Sequence, residues 1–205
     1  MSALATRVRA ALAVVAAAAR AALGVVVGAG LATVAFLLVM SQAQERGYTS
    51  LRFSHALGML AGDPGLTGPD GATLLVERIS FRGLYVSLLL ATALVAAYAL
   101  LLEPRVRGRR WPLGGACLGL ATFLLGGLVY GPLVGARVPA VELGPAGVLV
   151  NSVAPADEDV AGLLGLDAGR GTPLALALAS LAFGLAAARV YALIRSREWW
   201  ASPEG

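Results

Sequence analysis

The sequence predicts an all-α polytopic membrane protein, a four-transmembrane-helix bundle with short amphipathic helices in two extracytoplasmic loops. Four runs contain no charged residue, at positions 21–44, 83–102, 111–136 and 171–188. Each approaches or exceeds the roughly 20 residues that a helix needs to cross a bilayer. Charged residues make up only 14% of the chain, whereas a soluble domain carries about 25%. A water-facing surface is therefore largely missing.

These runs set the expected domain plan. We expect one membrane domain over residues 1–205, with spans at about 21–42, 83–102, 112–134 and 173–194. The outer loops then cover residues 43–82 and 135–172, and neither is long enough for an independent soluble domain.

A short basic and alanine-rich segment precedes the first span. Arg7 and Arg9 precede an alanine-rich stretch at 10–19 that loosely fits the pattern of a signal peptide. Because Arg20 leads directly into a full-length apolar run, we favour a short interfacial helix that continues into the first span. The sequence leaves open whether residues 10–19 form a separate helix.

The arginines predict the orientation. Residues 1–20, 103–110 and 189–205 together hold ten arginines and three acids, whereas 45–82 and 137–170 hold six arginines and nine acids. Short arginine-rich segments stay in the cytoplasm. We therefore expect a multi-pass protein of the cell inner membrane, with both termini cytoplasmic and both long loops outside.

Small residues recur every four positions in three of the runs and so line one face of each predicted helix. Helices in lipid attract each other chiefly through close packing, which small residues permit. We predict helix seams within one bundle at these positions, with a dimer interface between two copies as the alternative. The candidate seam residues are Gly24, Gly28, Gly119, Gly127, Gly131, Ser180 and Gly184.

Prolines and turn residues predict local details of the spans and loops. Pro132 is expected to kink or end the third span after Tyr130. Thr172 and Pro173 are expected to be the N-cap and first residue of the fourth helix.

The outer loops carry patterns of their own. The first has apolar residues at helical spacing between Phe53 and Leu60, which predicts a short amphipathic helix. The second has an apolar segment, Val148–Val150, that suits an extended conformation. Asp157, Glu158 and Asp159 then open a predicted surface helix over residues 156–166, because acids favour a first helical turn.

No catalytic, cofactor-binding or metal-binding residues are predicted. The membrane core holds no charged residue, since Arg189, the deepest charge, lies in the last turns of the fourth span and can reach the headgroups. This absence disfavours a proton-coupled carrier. The polar residues in the spans are expected to bond to backbone carbonyls or across seams. His55 is the single histidine and lacks the second strong ligand that a haem or metal needs. The three consecutive acids point in different directions, so we interpret them as a solvated helix start rather than a calcium site.

Two sets of charged residues remain as contact candidates. The first is a possible outer-surface contact and comprises Arg52, His55, Glu77, Arg78, Arg82, Asp157, Glu158 and Asp159. The second is a possible contact with anionic lipid headgroups and comprises Arg105, Arg107, Arg109 and Arg110. Nucleic acid is not an expected partner, because the basic residues flank predicted spans and do not cluster on a soluble face.

The plan resembles uncharacterised four-helix prokaryotic integral membrane protein families. The features that carry this resemblance are Leu57-Gly58 in the outer segment, the arginine loop, Trp111 leading into Gly114, Gly115 and Gly119, and Phe183-Gly184 in the last span. Because those families have no assigned activity, the resemblance implies architecture only.

Two function hypotheses follow, from different classes. The first is a non-enzymatic protein whose outer loops form a cap that engages a membrane-protein partner or stabilises an assembly, including a homo-oligomer. The alternative is a small transporter or channel for an apolar or lipid-like solute, with a groove lined by residues such as Tyr98, Thr122 and Tyr130. A laterally open cavity near Tyr130 would favour transport, and a filled bundle would favour the cap. An enzyme is the least favoured class, because no acid–base pair or nucleophile is visible.

Overall fold

The computed structural model describes residues 3–51, 57–58, 72–106, 110–133, 141–143, 149–151 and 163–195. Helix α1 is Ala3–Glu45, α2 is Ala72–Ala97, α3 is Trp111–Leu124 and α4 is Thr172–Arg195. Strands β1, Val141–Leu143, and β2, Leu149–Asn151, form a short antiparallel ladder. Among the described residues, four helices are long and apolar enough to cross a membrane: Arg7–Glu45, Phe81–Arg105, Trp111–Leu133 and Thr172–Arg195.

Helix α1 is one continuous helix of 43 residues. At about 1.5 Å per residue it is much longer than the roughly 30 Å hydrocarbon core of a bilayer. No break separates residues 10–19 from the first predicted span, and most of that stretch is exposed. The expected interfacial segment is thus an unbroken extension of the spanning helix.

A Schellman motif ends α1. The Tyr48 N–H donates to the Ala43 carbonyl at 2.9 Å, and the Gly47 N–H donates to the Gln44 carbonyl at 2.9 Å. Gly47 has φ +72°, the left-handed conformation that this motif requires at its glycine. The chain leaves the helix in a fixed direction as a result.

Helices α2 and α3 each continue into a π-helical segment. In α2 the segment is Tyr98–Leu102, followed by a 3₁₀ turn at Glu103–Arg105. In α3 it is Leu125–Tyr130, and helical residues then continue through Pro132 to Leu133. The expectation that the helix ends after Tyr130 is therefore wrong, while the expected kink stays a prediction; a π-helical segment lies just ahead of the proline. Such local adjustments re-pair the backbone groups that a proline disrupts.

Helix α4 begins at Thr172, one residue earlier than the sequence predicts. The Ala175 N–H donates to the Gly171 carbonyl at 3.0 Å, which places Gly171 at the cap and Thr172 inside the helix. The Thr172 hydroxyl is buried and donates instead to the Thr49 hydroxyl at 2.7 Å. The N-cap prediction for Thr172 is wrong because a residue distant in sequence supplies its partner.

The second long connection is described in part. Its expected extended segment lies at β2, where Leu149 pairs with Leu143 of β1. The expected surface helix over residues 156–166 is described only from Leu163, where a 3₁₀ segment runs to Ala168. Leu164 and Gly165 have φ 56° and 75° within it, so the described part is a kinked turn rather than an α-helix. Residues 156–162 lie outside the described residues, as does most of the expected helix between Phe53 and Leu60.

The helices alternate in direction, which gives the bundle two distinct ends. We call the end that carries the two long connections the loop end, and the opposite end, where the 3₁₀ turn joins α2 to α3, the terminal end. Helix α4 packs along α1 and α3, whereas α2 packs mainly on α1. The buried core follows α4, with Leu176, Ala179, Phe183, Ala187 and Tyr191 on its inner face.

Candidate functional site

The feature with the clearest functional character is a half-open cavity of about 300 Å³ between α1, α2 and α3, which we call the lateral groove. Phe183 of α4 forms part of its wall, and Leu57 from the first long connection contacts it at the loop end. Its size lies at the lower end of the roughly 300–1,000 Å³ range of small-molecule pockets. The complete lining is Thr33, Phe36, Leu37, Leu57, Ser87, Leu90, Ala91, Leu94, Thr122, Leu125, Gly126, Val129, Tyr130, Leu133 and Phe183.

The groove exists because α2 and α3 meet closely at one end only. At the terminal end, the position of a Cβ on Gly114 would lie 3.0 Å from the Tyr98 ring. Tyr98 is buried there and also meets Tyr191 edge to face, with ring centroids 6.1 Å apart. Toward the loop end α2 stays on α1, so a space opens between α2 and the π-helical part of α3. Gly126 lies on that part of the lining and adds no side chain to fill it.

Three aliphatic hydroxyl groups of the groove lining are engaged in hydrogen bonds. Thr33 donates to the Ala29 carbonyl at 2.8 Å, Ser87 to the Gly83 carbonyl at 2.8 Å, and Thr122 to the Leu118 carbonyl at 2.9 Å. Each bond lies within one turn of its own helix, as expected for polar residues in the spans. The groove therefore offers an almost wholly apolar wall, which suits a hydrocarbon chain better than a polar solute.

The sequence hypothesis placed three residues, Tyr98, Thr122 and Tyr130, in a groove, and two of them line the cavity. Thr122 and Tyr130 line the cavity, and Tyr130 is half-buried. Tyr98 does not, because it packs between α2, α3 and α4 at the terminal end.

The closest helix contact is the crossing of α3 and α4. A Cβ on Gly119 would lie 2.7 Å from the Ser180 carbonyl oxygen, and one on Gly115 would lie 2.9 Å from the Gly184 carbonyl oxygen. A Cβ on Gly184 would collide with the backbone of both Gly115 and Gly119. Two small-residue pairs thus face each other, and the backbones touch without intervening side chains.

The remaining seam candidates contact different neighbours. A Cβ on Gly24 would lie 3.0 Å from the Tyr191 ring, and one on Gly28 would lie 3.5 Å from the Ala187 carbonyl oxygen. Gly127 faces Leu164 of the 3₁₀ segment rather than another long helix, and Gly131 is buried. Ser180 is fully buried at the crossing, and its hydroxyl has no hydrogen-bond partner among the described residues.

Charged residues bind the helices together at the terminal end. Arg195 of α4 forms an ion pair with Glu103, which follows α2. The Arg189 guanidinium lies over the Trp111 ring, 5.3 Å from its centroid, at the distance of a cation–π interaction. The Arg105 guanidinium donates to the Leu101 carbonyl, four residues earlier in the sequence.

The structure bears on only part of the charged contact sets. Arg82, Arg105 and Arg110 are exposed. Glu77 and Arg78 belong to α2, but their side chains are not described. Outside the described residues lie Arg52, His55, Arg107, Arg109, Asp157, Glu158 and Asp159. Within the described parts of the chain, no group of three or more His, Cys, Asp or Glu residues could hold a metal ion.

Sequence reasoning missed a hydrogen-bonded contact between the two long connections at the loop end. We call this contact, formed by Thr49, Ser50, Ala168 and Thr172, the latch. Besides the Thr172–Thr49 hydrogen bond, the Ser50 N–H donates to the Ala168 carbonyl at 2.9 Å. Gly169 has φ +125°, and a Cβ on it would lie 3.3 Å from the Tyr48 carbonyl oxygen. The only sequence signal for this contact is the pair of glycines, Gly169 and Gly171, ahead of α4.

Comparison with known proteins gives no identification. No protein-family model matches the chain, and neither the curated proteins nor the solved structures include one with significant similarity to it. The four long apolar helices remain compatible with a multi-pass membrane protein, and the geometry of the lateral groove is the basis for a functional proposal.

Proposed function

We propose that the protein is a non-enzymatic integral membrane protein that binds an apolar or lipid-like solute in the lateral groove, as a small transporter would. The single observation that supports this most is the half-open apolar cavity of about 300 Å³ beside Tyr130. A filled bundle would have left no space for a solute and would have favoured the loops as the functional part.

The groove suits one end of a hydrocarbon chain. Its wall comes from the middle turns of α2 and α4 and from the parts of α1 and α3 toward the loop end, and the hydroxyl groups of Thr33, Ser87 and Thr122 donate to carbonyls of their own helices. A bound chain would therefore gain contact area without leaving a buried polar group unpaired. Since the groove is half-open, the hydrocarbon chain of the solute could enter it from the lipid between α2 and α3.

We propose further that the four helices span the inner membrane with both termini in the cytoplasm. The uneven distribution of arginines supports this orientation. It puts the loop end, and with it the lateral groove, in the outer leaflet, where lipid tails reach the same depth as the cavity.

A test of the groove uses the purified protein in nanodiscs of neutral phosphatidylcholine. After transfer to mild detergent, native mass spectrometry should detect one retained lipid or added long-chain fatty acid per protein. Replacing Gly126 with leucine should reduce this retention, because a Cβ there fits at 3.8 Å from Leu176 and the larger side chain occupies space that borders the groove.

Gly30→Leu is the matched control, because no described atom lies within 4 Å of a Cβ at Gly30. It should retain the ligand as wild type does. If wild type retains no lipid or fatty acid, or if both variants retain it equally, the groove is not a binding site.

The second candidate function is a loop cap that engages a membrane-protein partner or supports a homo-oligomer. The latch of Thr49, Ser50, Ala168 and Thr172 supports it, because it fixes the roots of both long connections against each other. The test is a pull-down from native membranes in mild detergent, repeated with residues 52–71 replaced by a neutral linker. Partners that survive this replacement would contradict the proposal, as would elution of wild type by itself.

A further inference from the structure

A second cavity, of about 460 Å³, lies between the last turns of α1 and the first turns of α4 at the loop end. We call it the α1–α4 groove. Leu38, Leu174 and Leu178 form an apolar floor, and Gln42, Arg46 and Tyr48 form a polar margin. It shares no lining residue with the lateral groove, so it is independent of the proposed function.

The two parts of this groove follow the helix axis. Leu38 and Leu178 lie further inside their helices, whereas Arg46 lies just past the end of α1. If the helices cross a bilayer, the leucines are at the depth of the acyl chains and Arg46 is at the depth of the headgroups. Leu38 and Leu174 are 60% and 66% exposed, so this apolar floor is open to the surrounding lipid.

The polar margin is held in place by the backbone. Arg46 and Tyr48 flank Gly47, the left-handed residue of the Schellman motif. The Tyr48 backbone also packs against Gly171, whose Cβ position would lie 2.5 Å from the Tyr48 carbonyl oxygen. The direction in which the chain carries Arg46 and Tyr48 is thus fixed relative to α4.

The charge at this margin is available for a ligand. The Arg46 side chain is exposed, and its guanidinium makes no hydrogen bond or ion pair with a described residue. The neighbouring Glu45 carboxylate accepts a hydrogen bond from the Gln42 amide at 3.0 Å. A cation near a helix C-terminus is favourable in itself, but that effect does not account for an apolar groove directly beneath it.

We infer that the α1–α4 groove binds one anionic phospholipid from the leaflet at the loop end. The phosphate group would pair with the Arg46 guanidinium, which can offer two parallel N–H donors to it. One acyl chain would lie along Leu38, Leu174 and Leu178. The charge complementarity at the margin, together with the apolar floor at acyl depth, favours an anionic lipid over a neutral one.

The test compares nanodiscs of phosphatidylcholine with nanodiscs that contain increasing fractions of phosphatidylglycerol. Native mass spectrometry then counts the phosphatidylglycerol molecules that remain bound in mild detergent. Wild type should retain one, and Arg46→Gln should weaken its binding about fivefold, as expected for one arginine at a membrane surface. Arg46→Lys should recover part of the loss.

Arg82→Gln is the matched control, because Arg82 is an exposed arginine of α2 that does not line the α1–α4 groove. It should leave the retained lipid unchanged. Equal losses for the Arg46 and Arg82 variants would overturn the inference in favour of general surface attraction. Unchanged retention in Arg46→Gln would also overturn it.

Two further measurements separate the sources of binding and the effects of misfolding. Inorganic phosphate is added to the protein that has bound phosphatidylglycerol, with no further lipid, and should not displace it. Displacement would show that the site binds free anions instead. Leu174→Trp should lower retention while Arg46 stays in place, because the larger side chain obstructs the acyl path. Circular dichroism of each variant should match wild type, and full lipid retention in Arg46→Gln or Leu174→Trp with intact helices counts against the inference.

Discussion

The crossing of α3 and α4 makes a sharp prediction for Gly119→Ala. The added methyl group would lie 2.7 Å from the Ser180 carbonyl oxygen and 2.9 Å from the Leu181 Cα. Both atoms belong to the backbone of α4, so a side-chain rotation cannot relieve the contact. To reach an ordinary van der Waals distance of 3.4 Å, the helices must separate by about 0.7 Å at this point.

The magnitude follows from two opposing effects. A radial gap of roughly 0.5–1 Å costs a quarter to a half of the dispersion energy of each atom pair along the crossing, and overpacking of this kind costs about 1–3 kcal/mol. Alanine in place of glycine in a helix offsets about 0.5–1 kcal/mol of that cost. We expect a net loss of about 1–2 kcal/mol in the free energy of unfolding.

The assay is reversible unfolding in mixed micelles of a mild detergent and sodium dodecyl sulfate, followed by circular dichroism. Gly30→Ala is the control, because no described atom lies within 4 Å of its Cβ position. It should be stabilised by the helix-propensity gain of about 0.5–1 kcal/mol. Gly28→Ala should be stabilised in the same way, because its nearest neighbour, the Ala187 carbonyl oxygen at 3.5 Å, is at an ordinary van der Waals distance.

The sign of the change in the free energy of unfolding decides whether α3 and α4 cross at these glycines. Gly119→Ala should be destabilised while Gly30→Ala is stabilised, and Gly184→Ala should lose more than Gly119→Ala, since its methyl group meets two glycine backbones. If Gly119→Ala and Gly184→Ala are as stable as Gly30→Ala, α3 and α4 do not cross at these glycines.

Three further predictions concern the loop end and the orientation. Gly47→Ala should lower the free energy of unfolding by about 1 kcal/mol through the left-handed backbone alone, because no described atom lies within 4 Å of its Cβ position; a neutral result would contradict the Schellman motif. Thr49→Val should cost about 1–3 kcal/mol, because the buried Thr172 hydroxyl and the Leu51 N–H both lose their acceptor. Thr172→Val should cost about 1 kcal/mol, because the Thr49 hydroxyl still accepts from the Leu51 N–H; additive losses in a double-mutant cycle would show that the two hydroxyls do not interact. A reporter active only outside the cytoplasm should be silent when fused at Arg107 and active at Thr67, and the reverse pattern would invert the proposed orientation.

The sequence predicted the helices well because their signals are local. An uncharged run of about 20 residues predicts a helix long and apolar enough to cross a membrane. The four-residue spacing also predicted the helix faces on which Gly28, Ser180 and Gly184 lie. Spacing shows which face packs but not which helix it meets. Gly127 illustrates this limit, since its neighbour is Leu164 in a connecting segment.

The features that could not be predicted depend on contacts between distant segments. The Thr172 hydroxyl has the sequence signature of an N-cap, but folding brings Thr49 to it across 123 positions. The lateral groove likewise depends on α2 meeting α3 at Tyr98 and Gly114 but not nearer the loop end. Of the three residues that the transport hypothesis placed in a groove, Thr122 and Tyr130 line the cavity and Tyr98 does not.

The central place of α4 has a consequence for assembly during synthesis. Helices α1 and α2 contact each other and can pair early, whereas the helix contacts of α3 are mainly with α4. Since α4 follows the other three in the chain, Gly115 and Gly119 of α3 stay uncovered until the ribosome has released that partner. A chain arrested before Thr172 would therefore leave the glycine face of α3 without the helix that covers it, and free to pair with another helix.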